Sequence, residues 1–151
     1  MLLKDRRYKG LVLNDYPGKP YAQWVKEGVK TIETRMNRLF SYRGDVIICC
    51  GKTNSDSPNA GKALCIVEIW KGRSMVKADE AAACIEWHPA RKSLLLRNWR
   101  HFSYDFEFAA LKVGGSWQSL FDMVIPDDVQ IIPRPEILPY PEKENRTLFD
   151  L

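Results

Sequence analysis

Between Lys30 and Arg35, six positions hold three formal charges, and a glycine stands two residues upstream: Gly28-x-Lys30-x-x-Glu33-x-Arg35. On an extended strand Glu33 and Arg35 share one face, roughly 6 to 7 Å apart along the chain. Lys30 belongs to the turn that leads in. One acid and two cations therefore fall within a small area. In a cleft, Arg35 could grip a phosphate or carboxylate through two parallel hydrogen bonds, and Glu33 could orient Arg35 or accept from the edge of a base. A partly desolvated Lys30 could serve as base or nucleophile. On an open surface the same groups are a salt-bridged corner worth under about 1 kcal/mol.

The flanking residues predict how these groups are held. Leu11 and Leu13 alternate with their neighbours in a strand over Tyr8 to Leu13, followed by the turn-rich Asn14 to Lys19. Pro20 suits the first turn of a helix, because its missing N–H would be unpaired there anyway. Tyr21, Trp24, Val25 and Gly28 recur at helical spacing, and Gly28 is placed to cap the helix C-terminus. Thr31 to Arg35 is rich in β-branched residues and reads as the next strand, with Ile32 on the face opposite Glu33 and Arg35.

Downstream, Val46 to Cys50 is an unbroken apolar run, expected of a strand buried on both faces. Gly51 to Gly61 reads as a long hairpin loop, and Ala63 to Trp70 as its returning strand. Glu68 interrupts that strand and is expected at a water-facing edge. Lys77 to Glu86 reads as a helix with Ala78, Ala81, Ala82 and Ile85 inward, stopped by Pro89. Arg91 to Arg100 holds Arg91, Lys92, Arg97 and Arg100 without an acid. It reads either as a flexible basic segment able to track a phosphate backbone or as a loop whose Leu94, Leu95 and Leu96 plug the core. Phe106 to Leu111 and Val129 to Ile132 read as strands, and Gly114 to Trp117 as a turn. Trp70, Trp87 and Trp117 are expected in the core. His88 and His101 are expected to be structural or solvated. The prolines at 133, 135, 139 and 141 predict an extended tail that need not pack by itself. Several strands with two short helices argue for an α+β fold, a small mixed β-barrel.

At 151 residues and 45% hydrophobic content, one domain with a substantial core is expected. No apolar run approaches the roughly 18 residues of a membrane span, and the first ten residues lack the apolar centre of a secretion signal. The expectation is a soluble, cytoplasmic protein with no membrane partner. Cys49, Cys50, Cys65 and Cys84 fall in apolar or alanine-rich runs, as small core residues do. Cys84 and His88 have a metal-like i, i+4 spacing but no second pair of ligands, so neither a metal nor a cofactor is expected. Residues 1–43 carry ten Lys and Arg against four acids, and residues 122–151 three against seven. A positive front suits a polyanionic partner, although charge alone favours the reading of ordinary surface charge. Phosphate-loop, Gly-x-Ser-x-Gly and dinucleotide-glycine motifs are missing, which disfavours the classes that depend on them.

Pro20-Tyr21-Ala22, a short helix, Gly28-x-Lys30-Thr31-Ile32-Glu33-x-Arg35 and Arg43-Gly44-Asp45-Val46 opening a strand together resemble the ASCH family, whose hallmark is G-x-K-x-x-E-x-R. The resemblance spans about residues 8–120. It implies a PUA-like β-barrel over residues 1–132, short helices flanking a cleft, and the Pro-rich tail over residues 133–151. It also implies that the ligand site gathers Tyr21, Lys30, Glu33 and Arg35 to bind RNA, a nucleotide or a nucleoside. One branch of the family hydrolyses the amide of acetylated cytidine with the motif lysine, a threonine at the glutamate position and a distant glutamate. Other members are ribonucleases. By that analogy Lys30 and Glu33 are candidate catalytic residues, with Glu68, Glu80 and Glu86 as unaligned candidates for the distant acid. Glu33 departs from that branch, and Tyr21 replaces the family's usual tryptophan while keeping an aromatic face. A protein-interaction module serving transcription or translation is a third reading, and the oligomeric state is left open.

Overall fold

The computed structural model describes residues 6–38, 41–109 and 120–142. Among them the order begins β1 (Arg7–Leu13), β2 (Asp15–Tyr16), β3 (Lys19–Pro20), α1 (Tyr21–Glu27), β4 (Ile32–Met36) and β5 (Gly44–Cys50). It continues with β6 (Lys62–Ser74), a 3-10 turn at Lys77–Asp79, α2 (Glu80–Ala83), β7 (Arg91–Glu107), β8 (Phe121–Val124) and β9 (Ile131–Pro133).

The apolar run of β5 splits its side chains between two cores, as a strand covered on both faces must. Val46, Ile48 and Cys50 join Leu11, Leu13, Val67 and Trp99 on the side that α1 covers. Ile47 and Cys49 join Ile66, Phe102, Phe106 and Met123 on the other. β1 and β5 pair in parallel, which needs a crossover, and α1 lies in the connection that supplies it. The other sheet pairings are antiparallel.

The expected α+β class is present, but the expected closed barrel is not. The strands follow the order β4-β7-β6-β5-β1-β8, with β9 beside β7, and among the described residues the two ends do not pair. β4 is only five residues long, and the amides flanking it go elsewhere: Thr31 N–H donates to Ala82 O at 2.9 Å and Asn37 N–H to Ala90 O at 2.7 Å. A short strand dressed in this way offers little edge for a further strand. Across the open seam the Arg35 guanidinium reaches from β4 to the Val12 carbonyl of β1, at 2.9 Å. A side chain spans the gap that ladder hydrogen bonds would have closed.

Several local expectations are corrected. Arg91 to Arg100 is no loop; it is the first part of a 17-residue strand in which Ser93 to Leu96 and Trp99 are buried. Its charges are accommodated within the sheet by carboxylates on either side of the left-handed Asn98 (φ 59°), Arg97 pairing with Glu68 at 3.0 Å and Arg100 with Asp45 at 2.7 Å. Glu68 does not sit on an edge, because β6 lies between β5 and β7; its carboxylate pairs with Arg97 across the sheet at 3.0 Å. The helix over 77–86 shrinks to the 3-10 turn and α2, since Cys84 turns left-handed at φ 56° and stops it. Trp87 is exposed and Trp70 half-buried, whereas Trp99 is sealed and donates its indole N–H to Val25 O at 2.7 Å. The strand read over 106–111 is the end of β7, up to Glu107, and the one read over 129–132 is β9. The turn at 114–117 with Trp117, and the last two positions of the strand read over 106–111, lie outside the described residues.

The tail's described part packs. Ile137 lies against the first core, Tyr140 against the cluster of Ile32, Met75, Ala83 and Leu95, and Glu142 pairs with Arg73 and Lys71. No helix among the described residues is long and apolar enough to cross a membrane.

Candidate functional site

The seam is where the charged motif lies. Gly28 is left-handed (φ 80°) at the end of α1, and its N–H bonds Val25 O at 3.1 Å. The N–H groups of Val29 and Lys30 both fold back to Trp24 O, at 2.9 and 3.0 Å. The Lys26 carbonyl takes a bond from the His101 ring at 2.7 Å. The Trp24, Val25 and Lys26 carbonyls of the last turn of α1 are thereby satisfied, and the chain leaves the helix in one fixed direction, carrying Lys30 into the seam.

Lys30 is only 2% exposed. Its ammonium donates to the Ala83 carbonyl at the end of α2, lies 3.5 Å from Glu33 Oε1 and sits 5.3 Å over the Tyr21 ring. Glu33 is buried as well, and its Oε2 is 3.1 Å from Arg35 Nη2, the nitrogen that reaches Val12 O. The chain of contacts runs from α2 through Lys30, Glu33 and Arg35 to β1. Ile32 points the other way, opposite Leu95, as period two requires.

Burial strips water from the Lys30 ammonium and holds its pKa below the usual 10.5; Glu33 pulls upward and only partly offsets this. Neutralising such a lysine is easier than for one on the surface. The same seclusion raises the Tyr21 phenol above its ordinary range.

These side chains line a cleft of about 230 Å³ together with Tyr16, Asn14, Thr34 and Ile85. Tyr16 and Tyr21 meet edge to face, with ring centroids 6.1 Å apart. All four residues singled out in the sequence, Tyr21, Lys30, Glu33 and Arg35, come together here. The unaligned acids do not. Glu68 faces Arg97, the Glu80 carboxylate accepts the Trp87 N–H at 2.6 Å, and Glu80 and Glu86 line a neighbouring groove with Lys19 and Cys84. His88 Nδ1 accepts the Ala90 N–H while the Cys84 thiol faces backbone carbonyls, so that pair forms no site. Among the described residues no three His, Cys, Asp or Glu side chains are gathered as metal ligands would be.

Sequence reasoning missed two supports. The Ala83 carbonyl that holds Lys30 is a backbone atom with no signature of its own. Asp15, only 4% exposed, accepts from Gln23 N–H at 3.1 Å, Ser57 Oγ at 2.8 Å and Asn59 Nδ2 at 2.9 Å. It tethers the first turn of α1 to the 51–61 loop, and with it the two tyrosines. Its signal was the rim position of the Asp15 to Lys19 loop, where Gly18 (φ 76°) after Pro17 makes the turn between β2 and β3.

The family model of the ASCH domain matches residues 18–113, well over half of the chain and all of the motif. The chain belongs to the ASCH domain family. Family membership accounts for the PUA-like α+β architecture and supports, in general terms, an RNA-binding or related role for this ASCH domain. No match to a curated protein was found.

Proposed function

We propose that this ASCH domain binds the base of an RNA or nucleotide-like ligand in the seam cleft, with Lys30, Glu33 and Arg35 as its polar contacts and Tyr21 as its aromatic wall. The observation that carries the reading is a connected row of three charged side chains along an open cleft, Lys30 and Glu33 buried and Arg35 nearly so at 12% exposure. Burying such groups costs several kcal/mol per ion, and pairing repays this only when the geometry is excellent; apolar residues of similar size would stabilise the fold as well or better. A fold does not need this row, and a ligand with complementary donors and acceptors does. Size narrows the ligand. The volume of about 230 Å³ lies under the roughly 300 to 1,000 Å³ of drug-sized pockets, so it suits one base or nucleoside at a time.

The experiment is a calorimetric titration with the four ribonucleosides and N4-acetylcytidine. At least one is expected to saturate, and Arg35→Ala and Glu33→Gln to weaken it by about 2 kcal/mol, roughly thirtyfold. Equal affinity for wild type and both variants would remove the cleft from the reading.

One observation favours a second reading, a hydrolase in which Lys30 acts on the bound ligand: the ammonium is buried and its pKa lowered, which a general base requires. In that case neutral Lys30 takes a proton from water, the hydroxide adds to the amide carbonyl, and acetate and cytidine leave. Chromatography of the acetylcytidine titration mixtures tests it. Turnover that Lys30→Ala abolishes supports hydrolysis, and intact substrate after prolonged incubation sinks it.

A further inference from the structure

Consecutive residues line the cleft on both of its long sides: Val12, Leu13 and Asn14 from β1 and the turn after it, and Glu33, Thr34 and Arg35 from β4. Successive side chains of a strand leave on opposite faces, so neighbours in sequence border one space when that space lies off the strand's edge. The cleft therefore sits in the plane of the sheet. On one side is the edge of β4 that β7 does not cover, and on the other the part of β1 beyond Gly10, where its pairing with β8 ends. Tyr21 packs with the core that holds Leu94 and Leu96, and Ile85 with the cluster that holds Leu95, so the two close the slot from opposite faces. Such a slot fits a flat ring.

The phase of the ladder decides which main-chain groups face the slot. Asn37 N–H donates to Ala90 O and Leu96 N–H to Thr31 O, while the Arg91 carbonyl, opposite Met36, turns away to the Met75 N–H at the end of β6. The odd-numbered residues from 31 to 37 thus face β7, and the N–H and C=O of Ile32, Thr34 and Met36 point outward. Of these three, Thr34 lines the cleft. Among the described residues neither main-chain group of Thr34 has a hydrogen-bond partner.

Resting on the base-binding reading above, we infer that the Thr34 main chain reads the Watson–Crick edge of the bound base, its N–H donating to the acceptor on that edge and its C=O accepting from the neighbouring amino or imino N–H. Each of the four bases carries a donor beside an acceptor there, and unstacked bases are commonly read on this edge. The base takes the place of the opposing residue of a missing strand and exchanges two hydrogen bonds as a ladder pair does. β4, at five residues, is a short edge for a further strand, but one base needs a single outward residue. The ligand class narrows to a nucleoside or nucleotide whose base is unpaired and unsubstituted on that edge.

The test uses whichever ribonucleoside saturates the wild-type protein, together with its derivative methylated at the Watson–Crick ring nitrogen, N3 of a pyrimidine or N1 of a purine. The methylated ligand is expected to bind at least about tenfold more weakly. Thr34→Pro removes the N–H, and because that N–H faces the open edge the ladder to β7 keeps its hydrogen bonds. It should weaken the parent nucleoside by about tenfold, whereas Thr34→Val, which keeps the N–H and lacks the hydroxyl, should bind within about twofold of wild type. A backbone ester in place of the Glu33–Thr34 amide, the second variant, removes the same N–H without a proline ring and should match Thr34→Pro. Amide exchange gives an independent readout. In the free protein Thr34 should exchange faster than Glu33 and Arg35, and saturating nucleoside should slow it by about tenfold or more. If the nucleoside binds the proline and ester variants as tightly as wild type, or if Thr34→Val loses as much as they do, main-chain reading is overturned and base binding stands. If no ribonucleoside binds the wild-type protein, the base-binding reading fails and takes the Thr34 assignment with it.

Discussion

Lys30 is a residue whose environment works against its charge. Among the described residues Glu33, at 3.5 Å and thus beyond ordinary hydrogen-bond length, the Ala83 carbonyl and the face of the Tyr21 ring compensate for lost water. A consequence follows for stability. The unfolded chain titrates Lys30 near its ordinary 10.5, and the folded chain releases the proton at lower pH. Between the two values the unfolded state binds more protons, so stability rises with pH across that window and the penalty is fully present below it. Denaturant unfolding of wild type and Lys30→Met, from neutrality to pH 10.5, checks this: the difference between the curves should move in favour of wild type as pH rises. Parallel curves would mean that Lys30 is better solvated than its 2% exposure implies. Glu33→Gln, which removes the carboxylate holding the proton on, should start the rise at lower pH. Lys30, Glu33 and Arg35 drew attention in the sequence by residue type and spacing, and their gathering with Tyr21 in a cleft was implied by the family resemblance. Their burial was not, since charged residues of this pattern more often face water.

At the scale of elements, α2 matters out of proportion to its four residues, because the carbonyls of Ala82 and Ala83 hold the Thr31 amide and the Lys30 ammonium. What fixes α2 is Asp79, fully buried just before it, which accepts from both Arg73 Nη atoms at 2.7 and 2.9 Å, from Ser93 Oγ at 2.9 Å and from Val76 N–H at 3.1 Å. Burial pushes the Asp79 carboxyl up, yet these donors win and hold it below 3.8. Asp79→Asn leaves Arg73 with Glu142 as its carboxylate partner and should cost about 2 to 3 kcal/mol at neutral pH, below the usual loss from a broken buried pair because Glu142 remains. Wild type should lose that margin as pH falls through the lowered pKa, whereas the variant should not. Exchange of the Thr31 amide should quicken in Asp79→Asn as α2 loosens; unchanged protection would show that α2 is held by something other than Asp79. The sequence placed this helix but not its brevity, because alanine periodicity says nothing of the left-handed turn at Cys84.

The whole molecule explains which parts of the fold could be read in advance. β1, α1, β4 and β5 were legible because each is decided locally, by an apolar period, a proline start or a glycine stop. β7 was not, since Arg91 to Arg100 gains its burial from β4 and β6 on either side, pairings that no local window contains. Barrel closure, which the described residues do not show, was illegible for the same reason, depending on what edges meet across the seam. The proline tail is the clearest case, because its anchor is a contact between residues 28 and 137. A Cβ on Gly28 would lie 2.4 Å from Ile137 Cγ2, so the glycine of the motif is needed for close approach as well as for its φ of +80°. Gly28→Ala therefore carries two costs, about 1 kcal/mol or more for a left-handed alanine and a further term for displacing the tail. Ile137→Ala alone loses packing against the first core. Combined, the two should cost less than the sum of the singles by at least about 0.5 kcal/mol, because the shortened side chain makes room for the new methyl group. Denaturant unfolding of the three variants measures the coupling. Strict additivity would mean that the tail does not rest on the motif's helix cap, and a coupling of the expected sign ties the two ends of the chain to the geometry that aims Lys30 into the cleft.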